Sequence, residues 1–205
     1  MLALTATVGQ SVTHDIKIKV NGYTGEYVTI ANNLMDKQYV VDTLYKKDDG
    51  YFHLSDTSEL KKGIYLAVLA PKNEYFQFLV GNEKPFFSLE TSVNAIGKVK
   101  TKGSKENQDF YDYLGFLDAQ RIKDLPFREA LEKEGITEQE KEAIQVKRKV
   151  VNDEVEAYQE RITKEKSESF VAAIIKANKP VTPPAFEDVS EEERPTRQWR
   201  YVQDH

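Results

Sequence analysis

Between Gly103 and Leu117 the hydrophobic period of this chain changes, and that change constrains the fold more than any other feature. Upstream, apolar residues recur at every second position, the spacing of a strand with one buried face. Downstream they recur at every third or fourth, the spacing of a helix with one buried stripe. Ser104 is placed to cap the first helix by accepting a hydrogen bond from an otherwise unpaired backbone N–H. Phe110, Tyr113, Leu114 and Leu117 then share a helical face. The expected class is α+β, with an N-terminal antiparallel β-sandwich of about seven or eight strands followed by a C-terminal helical segment. The expected divisions are residues 1–12 as a signal-peptide remnant or disordered N-terminus, 13–102 as the sandwich, 103–180 as a helical domain, and 181–205 as an extended tail that begins a truncated region.

Strand signals before the junction are local and repeated. Asp15 to Val20 alternates strictly, so Ile16, Ile18 and Val20 face a core and Lys17 and Lys19 face water. Asn21-Gly22 is a turn, Glu26 to Ile30 the next strand, and Asn32, Asn33 and Asp36 mark a reversal. Lys37 to Lys46 and Tyr51 to Leu54 flank Asp48-Asp49-Gly50, the clearest hairpin pattern in the chain. Ile64 to Leu69 is almost wholly apolar and reads as a central strand. Tyr75 to Val80 places Phe76, Phe78 and Val80 on one side. Phe86 to Leu89 and Gly97 to Thr101 supply one or two more strands. No crossover helix intervenes, which favours antiparallel pairing.

Beyond the junction the first helix is expected to end near Lys123, with Pro126 breaking it and Phe127 to Glu134 adding a short helical turn before Gly135. Thr137 and Glu140 form a capping box for a long helix whose Ile144, Val151, Val155, Tyr158 and Ile162 share one face. That stripe must lie against the sandwich, the first helix or another chain, so a homodimer through the helical region is one alternative. Ser167 is expected to cap a last helix burying Phe170, Val171, Ile174 and Ile175, with Asn178 and Pro180 ending it. Trp199, Tyr201 and Val202 are hydrophobic for a tail. They either dock back onto the core or mark where a longer polypeptide was cut.

Composition excludes several classes. At 205 residues, 40% apolar and 31% charged, the chain can build one large or two small cores beneath a well-solvated surface, and two are expected. Residues 1–102 carry 12 Lys and 11 Asp plus Glu, net +1, and residues 103–205 carry 17 basic and 23 acidic side chains, net −6. Neither half has the excess of cations that displaces phosphate counterions, so no nucleic-acid partner is expected. No apolar run reaches the roughly 20 residues of a membrane-spanning helix, and no integral span is expected. The opening Met1 to Ser11 is small, apolar and uncharged, like the end of a secretory signal that lacks its basic start.

Candidate chemistry is sparse. Absence of cysteine removes disulfides and thiolate chemistry, and His14, His53 and His205 fall in no metal-ligand spacing, each reading as a surface or strand residue. No nucleophile elbow, phosphate loop or dinucleotide fingerprint is present. Asp48 and Asp49 are accounted for by the turn. Asp42, between Val41 and Thr43 in a strand, is a better candidate for a special role, the alternative being a solvent-facing or hydrogen-bonded strand residue, and a cleft around Asp42 and His53 is what an enzymatic reading would need. Tyr23, Tyr27, Tyr39, Tyr45, Tyr51, Tyr65 and Tyr75 crowd the strand-rich half, either as half-buried sheet residues or as a platform for a sugar or a peptide. The residues themselves assign no catalytic, cofactor-binding or metal site.

The order of short motifs carries a resemblance. Val41-Asp42-Thr43, then Gly50-Tyr51-Phe52, Gly103-Ser104 with Asn107, and Phe110-Tyr111-Asp112-Tyr113 are followed by Tyr158-Gln159-Glu160-Arg161-Ile162, Ser169-Phe170, Lys179-Pro180, and Trp199-Arg200-Tyr201 with Asp204-His205. From Asp15 to His205 the chain resembles the N-terminal region, of unknown function, that precedes a TlpA-like thioredoxin domain in envelope thiol:disulfide oxidoreductase-like proteins of anaerobic Gram-negative bacteria. The resemblance implies export to the periplasm or cell envelope. It also implies a Cys-x-x-Cys centre beyond His205, so that a missing C-terminal thioredoxin-like domain or an unknown protein is the partner. The lipid-accepting cysteine of some relatives is absent, which implies a soluble envelope protein. The function expected from this is a non-catalytic accessory or protein-interaction module without a redox centre of its own and with no cofactor. The alternatives are a carbohydrate- or peptide-binding sandwich using exposed tyrosines, or an enzyme of unrecognised type.

Overall fold

The computed structural model of the chain describes residues 11–34, 37–179 and 183–204. Of residues 1–12, expected to be a signal remnant or disordered start, residues 1–10 lie outside the described residues, as does His205. Eight strands come first: β1 (His14–Asn21), β2 (Tyr27–Leu34), β3 (Lys37–Tyr45), β4 (Phe52–Asp56), β5 (Gly63–Leu69), β6 (Glu74–Val80), β7 (Phe86–Ser92) and β8 (Lys100–Lys102). Four helices follow: α1 (Lys105–Leu131), α2 (Glu138–Glu165), α3 (Phe170–Asn178) and α4 (Arg194–Asp204). The protein is α+β, with a β-sandwich first and helices after it.

One sheet has the order β4-β1-β7-β8 and the other β3-β2-β5-β6. Period-two alternation sends Ile16, Ile18, Phe52, Leu54 and Leu89 inward from the first sheet against Val28, Ile30, Tyr65, Phe76 and Phe78 of the second. Five of the six strand pairings are antiparallel, and β1 with β7 is parallel. The crossover that parallel pairing requires is the second sheet itself: the chain builds all four of its strands, and β4 of the first sheet, between β1 and β7, then re-enters the first sheet in the same direction.

The hairpin expected around Asp48 to Gly50 is an arch between sheets. Its turn forms, with Gly50 at φ 80° and Lys47 N–H donating to the Tyr51 carbonyl at 2.8 Å. Only a single bridge, Lys46 to Phe52, joins the two strands before they part. The next residues of β4 pair with β1, which seats Phe52 and Leu54 opposite Ile18 and Ile16 in the core. Burial of those side chains decides which partner β4 takes.

The helices begin as expected and end differently. Ser104 Oγ accepts from Asn107 N–H at 3.1 Å, and the Thr137/Glu140 capping box opens α2. Pro126 does not break α1, which runs to Leu131. A proline removes one N–H and one intrahelical bond, and the seam with α2 on either side of Pro126 holds the helix together. α1 and α2 form an antiparallel pair: Tyr113 stacks on Tyr158 at 6.2 Å near the sheet, and Arg148 reaches Asp124 at 2.7 Å farther out. The long α2 stripe is therefore covered mainly by α1. Ser169, not Ser167, caps α3, with its Oγ accepting from Ala172 N–H at 3.1 Å. The stretch expected to be an extended tail contains the helix α4, preceded by turns around Phe186 to Glu193.

A polar joint fixes the helices to the second sheet. Asn107, fully buried, accepts from Leu79 N–H at 2.8 Å and donates to Leu79 C=O at 2.9 Å, completing the backbone pairing of β6 where that strand is the sheet edge. Glu106 accepts from Asn82 N–H at 3.2 Å, and it comes so close that a Cβ on Gly81 would stand 1.8 Å from its carboxylate. Asp109, buried, pairs with Lys166 at 2.6 Å and so joins α1 to the end of α2. The Tyr111 hydroxyl donates to Gln77 C=O, and burial pushes its phenol pKa far above the ordinary value. Around this joint Leu79, Phe110, Tyr113, Ile162, Val171 and Ile175 form a second apolar core on the outer side of the sheet.

Candidate functional site

The carboxylate and imidazole singled out in the sequence do not meet. Asp42 is exposed on β3, and its Oδ1 accepts from its neighbour's N–H, Thr43, at 2.7 Å. His53 lies in the other sheet between Asp49, 2.9 Å from Nε2, and Asp15, 3.2 Å from Nδ1. The Tyr51 N–H and then His53 hold the Asp49 carboxyl below the usual carboxylate range. This cluster pins the arch to β1. Among the described residues no group of three His, Asp or Glu side chains could hold a metal ion. The principal surface grooves are not lined by Asp42, Asp49 or His53. His14 is a strand residue as expected but not a surface one. It is 2% exposed, with Nδ1 3.2 Å from Thr13 Oγ1 and Nε2 buried without a partner among the described residues.

A different feature stands out on the second sheet. The strand registers place Thr43, Thr29, Val68 and Tyr75 in one row across its outer face, with Tyr45 beside Tyr27 in the next and Val40, Ala31, Leu66 and Gln77 on the other side. These three rows contain no charged residue, in a chain where 31% of residues are charged. Toward Ile64 and Leu79 the same face is closed by the helices. Toward Tyr27 and Tyr75 it is open: Tyr27, Tyr45 and Tyr75 are 37%, 63% and 54% exposed, and Val40 is 70% exposed. The Tyr27 and Tyr45 rings lie 6.2 Å apart, tilted by 57°. None of the three hydroxyls has a hydrogen-bond partner among the described residues.

The open face ends at a sheet edge. β3 is paired on one side only, and its residues from Lys37 to Asp42 are all exposed. A bulge at Val41 shifts the register, so Asp42 faces Ile30 while Val40 faces Ala31, and Val40 is turned to the aromatic side. Exposed aromatic rings with free hydroxyls, beside unpaired backbone N–H and C=O groups, can stack on a flat group, hydrogen-bond it and pair with an extended chain.

The structure sorts the seven tyrosines named from the sequence. Tyr23 and Tyr65 are buried, Tyr23 donating to Tyr27 C=O at 2.8 Å and Tyr65 to Lys61 C=O at 2.7 Å. Tyr51 stands edge-on to His53 on the other sheet, and Tyr39 is exposed on β3. The sequence signal for the open trio is parity: Tyr27, Tyr45 and Tyr75 each adjoin an inward residue, Val28, Leu44 or Phe76, and so point outward. The part played by Val40 was not legible, because a bulge reverses parity without marking the sequence. No family model matches the chain, and no curated protein matches it.

Proposed function

We propose that the protein is a non-catalytic interaction module whose binding surface is the outer face of the second sheet, around Tyr27, Tyr45 and Tyr75, together with the β3 edge. The observation that carries this reading is an uncharged, tyrosine-bearing face left open beside a half-paired strand on an otherwise charged protein. An extended segment of a protein partner adds to β3 through its backbone and lays alternate side chains on the tyrosine rings. Large contiguous exposed apolar patches mark interaction sites.

The setting we propose is the periplasm or cell envelope, as an accessory part of an exported thioredoxin-like protein. The motif resemblance supports that setting, and the absence of cysteine is why no redox step is assigned to this chain. A second reading, binding of a carbohydrate, is favoured by the three unpartnered phenol hydroxyls, since sugars are held by ring stacking combined with hydrogen bonds.

The test is selection from a displayed peptide library and binding to a glycan array, each with the wild-type chain and a Tyr27→Ser/Tyr45→Ser/Tyr75→Ser variant. Enrichment of extended β-prone peptides by the wild type alone supports the proposal. Retention of particular glycans by the wild type alone moves the assignment to the second reading. Identical behaviour of the two proteins in both assays, or unaided turnover of a substrate by purified protein, overturns both.

A further inference from the structure

His53 joins the arch between β3 and β4 to β1, and it uses both ring nitrogens to do so. Nε2 lies 2.9 Å from Asp49 Oδ2, and Nδ1 lies 3.2 Å from Asp15 Oδ1. An ionised carboxylate only accepts hydrogen bonds, whereas a neutral imidazole has a single N–H to donate. Both contacts are therefore hydrogen bonds at once only when the ring is an imidazolium. A neutral ring keeps one of them and points a lone pair at the other carboxylate.

The groups around the ring decide which contact yields. β4 has one sheet neighbour, β1, and there Lys17 stands opposite His53 with its Nζ 3.7 Å from Asp15 Oδ2. The Tyr51 ring is edge-on to the imidazole at 6.4 Å, and Lys19 lies 5.6 Å from the centre of that ring. On the arch, Asp49 faces the imidazole, Lys46 is turned to Tyr23 C=O and the Phe52 ring, and Lys47 and Asp48 are exposed. With an imidazolium, the charges of Asp15, Lys17, Asp49 and His53 cancel; with a neutral ring one negative charge is left over. Asp15 is fixed in a strand, its side chain 26% exposed, and it keeps Lys17. Asp49 lies on a turn with its side chain 47% exposed, so it can turn to water at less cost.

We infer that His53 is a proton-operated latch, whose imidazolium ties the arch to β1 through Asp49 and whose neutral form lets Asp49 go. The turn itself stays formed, because Lys47 N–H donates to Tyr51 C=O at 2.8 Å and Gly50 N–H to Lys47 C=O at 2.9 Å whatever the state of the ring. The Tyr51 N–H, which donates to Asp49 Oδ1 at 3.0 Å, loses its acceptor when the carboxylate swings out. In acid the latch ends where Asp49 takes up a proton. The Tyr51 N–H and then His53 hold that carboxyl below the usual carboxylate range. The contact is thus fully present above the ordinary Asp value, near about 4, and is lost as pH falls through the folded value. The latch is closed in mildly acidic water and open in alkaline water, and it does not depend on what the tyrosine face binds.

Exchange of the Tyr51 amide in the full chain, followed by NMR across the range in which imidazoles titrate, about pH 5 to 8, tests this inference. Expected, after correction for the intrinsic exchange rate, is protection about threefold to fivefold weaker at the alkaline end. One His53 ring nitrogen should lose its proton over the same interval. His53→Gln identifies those resonances and should abolish the change. Asp49→Asn is the sharper variant: its Oδ1 can still accept from the Tyr51 N–H, while an amide N–H takes the place of Oδ2. That donor meets the lone pair of a neutral ring, so the pH dependence should reverse its sign. Equal protection at both ends of the range overturns the inference, as does the same sign in Asp49→Asn as in the wild type. A change at Tyr51 that accompanies loss of the sheet signal in circular dichroism overturns it too, because the opening would then be global.

Discussion

The sandwich and the helical pair are built on opposite principles. Between the sheets the core is continuous and apolar, from Val20 and Leu69 at one end to Leu54 and Val80 at the other. Along the α1/α2 seam apolar contact is strong only near the sheet, where Phe110, Tyr113 and Ile162 gather. Farther out the facing positions are Gln120 with Glu154 at 2.8 Å, Lys123 with Glu154 at 2.7 Å, and Arg148 with Asp124 at 2.7 Å. Polar pairs in a seam set register and direction more than they add stability. The sheets thus provide most of the free energy, and the outer helical pair is a specified but weaker extension rooted in them.

Substitutions can break or sharpen that comparison, beginning with the largest effect. Phe78 is fully buried between the sheets, stacked on Tyr65 at 5.5 Å. Phe78→Ala should cost about 3–5 kcal/mol in urea unfolding, and a small loss there would contradict a sandwich-dominated fold. Asn107→Ala leaves the N–H and C=O of Leu79 without their partner. It should cost about 2–4 kcal/mol and separate the two regions, with helical circular dichroism lost before near-ultraviolet signals of the sheet; a single sharp transition would show that the joint is not what couples them. Val151 is buried in the outer seam. Val151→Ala should cost about 1.5 kcal/mol, visible as earlier loss of helix rather than of the sandwich.

Two smaller effects refine the contrast. His14 Nε2 is a buried polar atom with no partner among the described residues, at the margin of an apolar core. His14→Leu should therefore raise stability, by up to about 1 kcal/mol, read as a shift of the urea midpoint at unchanged slope. In the helical pair, the Arg148 guanidinium holds the Asp124 carboxyl below the usual carboxylate range. As pH falls below the ordinary Asp value, near about 4, the unfolded chain binds the proton first. The stabilisation is complete above that value and is lost as pH falls through the folded pKa. The difference between wild type and Asp124→Asn in helix stability should be present at neutral pH and vanish in acid, and a gap that persisted in acid would mean the pair acts through packing.

Local periodicity made much of the fold legible. Strict alternation at Asp15 to Val20 and the apolar run at Ile64 to Leu69 became an inward-facing strand and a central one. Ser104 and the Thr137/Glu140 box became helix starts, since a cap is satisfied within three residues of itself. What was misread depended on partners distant in sequence. The Asp48 to Gly50 turn looks the same whether its strands pair or part, and only the fit of Phe52 and Leu54 beside β1 decides. Pro126 reads as a break until α2 is seen to support α1 beyond it.

For the candidate surface the division is similar. Residue type and parity point Tyr27, Tyr45 and Tyr75 outward, and sequence alone determines that much because side chains alternate along a strand. Whether an outward residue is open or covered is not a property of its strand. Leu79 also points outward, yet it is buried under α1 and α3, which are held there by Asn107, while the far end of the same face is left bare. Sequence set the kinds of element and the facing of their side chains, because those rest on contacts a few residues long. Tertiary structure alone decided which strands pair, which face the helices close and which tyrosines remain exposed, because those rest on surfaces brought together from opposite ends of the chain.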